Sequence, residues 1–266
     1  MWCIYHVIAL FLLFGCTTRS EEEEHRSGVR PEAQSNCPEG MAFIPGGEYL
    51  LGRTVEVSPW TSSQIEATAP DGYWALPNPA EKVTISEFCI DRFEYPNERG
   101  QLPRFDVNWD DSVALCRAAG KRLPTRLEWQ AAAQGTSGRR YSYGNTFDEK
   151  RCNTEVDAGN FSGLAPAGKF KDCVSPEGVY DLDGNLSEWV ATDWEGPWYD
   201  NKTWGGPSEL ARTLMGGTMW PGDVYGQDAT SRHRHRTGER WRDDGFRCAL
   251  TPGPAGGDPA PADSRR

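Results

Sequence analysis

The chain has 266 residues, 37% of them hydrophobic and 11% aromatic, enough for one large domain or two small ones with a real core. Its formal net charge of −11 argues against a nucleic-acid partner, which would need a basic surface to release counterions from phosphate.

Residues 1–15, "MWCIYHVIALFLLFG", contain an apolar run from Val7 to Phe14 that is too short to span a bilayer and reads as the core of a signal peptide. "LFGC" resembles the bacterial lipobox, which implies that Cys16 is acylated and becomes the mature N-terminus; an ordinary cleaved signal and an uncleaved anchor are the alternatives. Thr17 after the cysteine implies, by analogy with bacterial sorting rules, an outer-membrane lipoprotein of the cell envelope. Several acyl chains make such anchoring stable by burying methylenes. Residues 16–36 are charged and nearly free of large apolar side chains, as an acidic tether would be. The folded domain is expected over residues 37–250, and residues 251–266, rich in Pro, Gly and Ala, are expected to be a disordered tail.

Inside the domain, "GMAFIPGGEYLLG" predicts two short strands joined as a hairpin through Pro-Gly-Gly. "FCIDRFEYPN" predicts a strand with alternating faces. Two helices follow: Asn108 or Asp110 can cap the first and Gly120 can end it, while Thr125 and Glu128 form a capping box for the second. Of eight cysteines, Cys3 leaves with the signal and Cys16 is the lipidation candidate. Cys37, Cys89, Cys116, Cys152, Cys173 and Cys248 remain, an even number in an exported chain, which predicts disulfides. Many pairings are open; proximity in sequence favours Cys37 with Cys89 and Cys152 with Cys173. No Cys/His spacing suits structural zinc.

Taken in chain order, "GKRLPTRLEW", "YSYGN", "GVYDLDGNLSEWV", "LMGGTMW" and "DDGFRCAL" resemble the sulfatase-modifying-factor family, whose enzymes generate formylglycine. The resemblance runs from about Gly40 to Leu250. It implies an α+β, loop-rich variant of the C-type lectin-like fold, with twisted antiparallel sheet and two main helices. It also implies a disulfide between Cys116 and Cys248. In the family the segment matching "YDLDGNLSEW" binds structural calcium, which here implies the Asp181 side chain, the Gly184 and Leu186 carbonyls and the Glu188 carboxylate as ligands. Asp181 stands where the family enzyme has a neutral amide. A second family calcium site implies Asn153 and the Thr154 carbonyl, but its aspartate falls near Gly159, with Asp157 two residues before. An EF-hand is excluded, since Leu186 occupies its glycine position and Thr192 its bidentate acid position. The alternative to calcium is an Asx-rich turn with Glu188 in an internal salt bridge and Trp189 in the core.

The family's copper chemistry, which oxidises a substrate cysteine with oxygen, needs two cysteines spaced C-x4-C after a Gly-Gly-Ser turn. Here "MGGTMWPGDVYGQDATSRHRHR" places the corresponding positions between Trp220 and Gly226, with no cysteine anywhere between Cys173 and Cys248. A soft copper ion needs thiolates, so no copper is expected. His233 and His235 fall on one face of a predicted strand and could begin another metal site with Asp223, Asp228 or Glu239. Arg232, Arg234 and Arg236 argue instead for a basic face that pairs with the protein's own carboxylates or contacts an anion. Trp194, Trp198, Trp204 and Trp220 fall in loops where tryptophan lines a ligand face or fills the core. The expected ligand face comprises Trp220, Arg232, His233, Arg234 and His235. The expected function is therefore a noncatalytic, lipid-anchored envelope protein that binds a protein or glycan partner; the alternative is an oxidoreductase with His-based metal chemistry.

Overall fold

Reciprocal side-chain caps fix where both helices begin. In the computed structural model, which describes residues 37–52, 80–154, 163–193, 211–217, 229–230 and 232–252, helix α1 (Trp109–Ala118) starts at Asn108. The Asn108 side chain accepts from the Asp111 amide at 2.8 Å and the Asp111 carboxylate accepts from the Asn108 amide at 3.4 Å. Asn108 is thus the cap, and Asp110 lies in the first turn, where a carboxylate favours the helix dipole. Gly120 follows the helix end at φ 71°, a left-handed conformation that glycine adopts without penalty. Helix α2 (Arg126–Gln134) starts at Thr125, whose hydroxyl accepts from the Glu128 amide at 3.2 Å while Glu128 accepts from the Thr125 amide at 2.8 Å. Arg122 grips the same Glu128 carboxylate through two bonds of 2.8 and 2.7 Å.

The strands are β1 (Met41–Ile44), β2 (Gly47–Leu51), β3 (Glu81–Ile85), β4 (Phe88–Asp91), β5 (Ser187–Asp193), β6 (Ala211–Met215), β7 (Arg232–Arg236), β8 (Asp244–Gly245) and β9 (Ala249–Leu250). Among the described residues they form sheets of order β1-β4-β9, β2-β3 and β7-β6-β5-β8, antiparallel except for the β5–β8 pair. The fold is mixed α+β, with two helices and several small sheets.

The expected hairpin is corrected. Strands β1 and β2 do not pair with each other; β1 pairs with β4 and β2 with β3. Ile44 opposes Phe88 and Gly47 opposes Ile85, so one bent ribbon changes sheet at Pro45-Gly46 opposite Ser86-Glu87. At Gly46 a Cβ would lie 3.0 Å from the Glu87 amide, which shows why the bend needs glycine. The "FCID" strand does not alternate in burial either: all four residues of β4 are buried, so both of its faces are covered.

Two buried clusters lie on opposite faces of the β5–β6 ladder. One contains Ile44, Leu51, Phe88, Ile90, Trp129, Leu182, Val190 and Met215; the other contains Val107, Cys116, Leu123, Trp189, Leu214, Phe246 and Cys248. Strand alternation sends Val190 to the first and Trp189 to the second. Disulfides join Cys37 to Cys89, Cys116 to Cys248 and Cys152 to Cys173. Residues 1–36, with Cys16, and residues 253–266 lie outside the described residues, as do Asp157, Gly159, Trp194, Trp198, Trp204, Trp220, Asp223 and Asp228.

Thr125→Ala deletes one side of the α2 capping box and is expected to lower stability by about 1 kcal/mol. The check is a urea midpoint that falls at unchanged slope; an unmoved midpoint would mean that packing alone holds the helix start.

Candidate functional site

The loop that leads into β5 contains three left-handed positions, Asp181 (φ 59°), Gly184 (φ 125°) and Asn185 (φ 66°). Asp and Asn tolerate that region better than other side-chain-bearing residues. At Gly184 a Cβ would sit 2.7 Å from the Asn153 carbonyl oxygen, so only glycine fits. The loop's polar side chains are spent inward. Asn185 accepts from Asn153 Nδ2 at 2.8 Å and from the Ala165 amide at 2.9 Å, and donates to Glu94 at 2.8 Å. Asp181 accepts from the Gly168 amide at 2.7 Å, and Asp183 accepts from both the amide and the hydroxyl of Ser142.

Glu188, at the start of β5, meets Arg247, which follows β8. Both side chains are fully buried. Arg247 Nε donates to Glu188 Oε2 at 2.7 Å and Nη2 to Oε1 at 2.5 Å, while Trp129 Nε1 donates to Oε2 at 2.8 Å. The remaining guanidinium donors reach the carbonyls of Tyr180 (2.9 Å), Asp91 (3.3 Å) and Arg92 (3.4 Å). Glu94 is also fully buried, and its Oε1 has no hydrogen-bond partner. Burial pushes the Glu94 carboxyl well above the usual carboxylate range, and Asp181 and Glu188 add to the shift. Burial likewise pushes Asp181 up to about 6. Burial opposes the Arg247 charge, but Glu188, Glu94 and Asp181 outweigh it and hold the guanidinium ionised.

This geometry bears on the expected calcium set. Of its members Glu188 fits a metal poorly: Oε1 accepts from Arg247 and Oε2 from both Arg247 and Trp129, so an ion there would share its oxygens with a fixed cation. The internal salt bridge with Trp189 in the core, the alternative weighed from the sequence, describes Glu188 better. At the second expected site Asn153 donates to Gly163 and Asn185, and Thr154 is buried nearby; the segment holding the expected aspartate lies outside the described residues. Among the described residues one group of three metal-ligating side chains, Cys152, Cys173 and Asp183, brings its donor atoms within 4.8 Å of one another. Its two sulfurs are bonded to each other and offer no thiolate.

On the expected ligand face, β7 pairs with β6 so that Arg232 opposes Met215, His233 opposes Leu214, Arg234 opposes Thr213 and His235 opposes Arg212. Arg232 and Arg234 are half-buried, and burial pulls the Arg234 pKa down against the pull of Glu239. His235 is buried, stacked on Trp241 at 5.1 Å and edge-on to Trp189 at 6.1 Å. Its Nδ1 lies 2.7 Å from Asp244 Oδ2, and burial pushes the Asp244 carboxyl up to about 6 despite that neighbour. The side chain of His233 lies outside the described residues. Sequence reasoning missed Arg247, Glu94 and Asp244 as partners. The available signal was an arginine set between Phe246 and Cys248, two residue types that are usually buried. Elsewhere, a cavity of about 890 Å³ opens on the loop from Tyr143 to Arg151 and includes the exposed ring of Phe147.

The family model described as "Sulfatase-modifying factor enzyme 1-like domain" matches residues 26–252. The chain is 28% identical over 239 residues to the formylglycine-generating enzyme of Thermomonospora curvata, covering 79% of this chain and 70% of that one. It is 31% identical over 173 residues to the inactive C-alpha-formylglycine-generating enzyme 2 of Mus musculus, covering 59% of this chain and 51% of that protein, so it spans only about half of this relative. The structure of PvdO from Pseudomonas aeruginosa is similar with a TM-score of 0.57 at 20% identity, covering 82% of this chain and 95% of that one.

Asp244 gives a pH prediction. Its carboxyl is raised from the usual 3.8 to about 6, so the native state holds this proton more tightly than the unfolded chain does. This group's contribution therefore favours folding below its unfolded pKa and is lost as pH rises through about 6. Asp244→Asn should remove that loss, so its stability relative to the parent should rise between pH 4 and pH 7 when urea midpoints are compared (about one to two pH units around the titration). A constant difference across that window would refute the assignment.

Proposed function

The chain belongs to the sulfatase-modifying factor enzyme 1-like domain family, and from that premise we propose that it is a noncatalytic member, a bacterial envelope lipoprotein whose domain binds a protein or glycan partner. The observation that carries this reading is a count of thiols. All six cysteines from Cys37 to Cys248 are paired in disulfides, and no other cysteine lies between them. Copper-dependent oxidation by thiolate-held copper has no ligands in such a domain. One relative carries the word inactive in its name, so membership of the family does not by itself imply turnover.

The disulfides mark an oxidising, extracytoplasmic compartment. No helix among the described residues is long and apolar enough to cross a membrane. Acylation at Cys16 with outer-membrane placement is the reading that joins these facts to "LFGC". A binding role suits a domain whose loops are stitched by disulfides and buried hydrogen bonds, since a preorganised surface loses little entropy on association. The concave loop from Tyr143 to Arg151 is one surface available to such a partner. The His-based oxidoreductase is less well supported, because among the described residues no group of three metal-ligating side chains includes His235, which is buried against Trp241 and Trp189.

Incubation of the purified protein with copper(I), oxygen and a cysteine-containing sulfatase peptide is expected to leave the peptide mass unchanged. Formation of formylglycine at a rate proportional to protein would overturn the noncatalytic reading. In parallel, metabolic labelling with a fatty acid should mark the parent chain and fail to mark Cys16→Ala.

A further inference from the structure

Calcium cages are built from carboxylates and backbone carbonyls, hard oxygen donors that tolerate flexible geometry. Glu188 and the chain around it supply such donors, but in the folded protein they converge on a different cation. One carboxylate and three carbonyls, from Tyr180, Asp91 and Arg92, all receive hydrogen bonds from the Arg247 guanidinium. Trp129 takes a further acceptor position on Glu188. A divalent ion at Glu188 would have to share both oxygens with a fixed positive charge in hydrogen-bond contact with them. Guanidinium cannot relieve that repulsion by losing its proton.

We propose that Arg247 is the resident cation of the Glu188 loop and that the native chain builds this loop without a metal at Glu188. The guanidinium joins three stretches of chain that a bound ion would otherwise have to gather: β4 and its following residue, the turn at Tyr180, and β5. It does so with a planar fork that matches the Glu188 carboxylate in two parallel bonds. The charge that holds the loop is therefore encoded in the chain, next to the Cys116–Cys248 disulfide that pins the same segment.

Arg247→Ala leaves Glu188 facing carbonyls that have lost their cation, with Glu94 and Asp181 close enough to contribute to the local field. That vacancy has the donor chemistry of a calcium site. The full parent chain, stripped with chelator, is expected to melt within about 1 °C of its melting temperature in millimolar calcium. Arg247→Ala should melt far lower than the parent and should recover by about 4 °C or more in calcium, but not in magnesium, which is smaller and demands stricter geometry. Arg247→Lys keeps a charge without the fork, and it should fall between the two without responding to calcium. A parent chain that loses stability on chelation and regains it with calcium in a manner abolished by Glu188→Gln would overturn the proposal. So would an Arg247→Ala chain that folds and shows no calcium-specific gain. Should that variant fail to fold, the parent and the lysine variant decide the matter.

Discussion

Burying a guanidinium costs several kcal/mol of lost hydration, and only a near-complete set of acceptors offsets it. Arg247 has that set: two bonds to Glu188 and one to each of three carbonyls, in a position with no solvent exposure. Much of the architecture follows from the requirement that these acceptors converge. The closing segment from β8 to β9 must lie between β4 and β5, and Trp129 of α2 must aim its indole at the same carboxylate. A buried ion pair is weak evidence for net stability, because an apolar replacement of like volume can do as well. Its stronger role here is to fix the position of one segment against three others.

The acidic loop before β5 can be understood from the same centre. Its carboxylates and amides are turned inward to segments near Ser142, Asn153, Ala165 and Gly168. This arrangement places Glu94, Asp181 and Glu188 within electrostatic reach of Arg247, with Arg99 also acting on Asp181. Burial and mutual repulsion raise the pKa of Glu94 and Asp181, while Arg247 acts in the opposite direction on both. With every cysteine of the domain bonded to another, this chemistry builds a stiff scaffold and leaves no thiolate for metal redox work.

Local features were the most legible in the sequence. Thr125 with Glu128, and Asn108 three residues before Asp111, encode the helix starts within a few residues of each other. The Cys116–Cys248 pair came from the family motif, and the two short-range pairs from proximity. What the sequence hid was non-local. Nothing within "GMAFIPGGEYLLG" shows that its two strands pair with β3 and β4 instead of with each other, since the alternative partner lies tens of residues away. The partner that Glu188 meets was hidden for the same reason: Arg247 is 59 positions distant. His235 is a middle case, because a basic strand face paired with the protein's own carboxylates was legible, whereas Asp244 as the partner was not.

The most direct test of this centre is native-state hydrogen exchange at the Trp129 indole N–H, which donates to Glu188 beside Arg247. If the Glu188–Arg247 contact holds the surrounding segments together, that proton should exchange only through global unfolding, with the same urea dependence as equilibrium denaturation. Exchange through a low-energy local opening that is insensitive to urea would show that the loop, β5 and α2 separate independently, and would contradict the account.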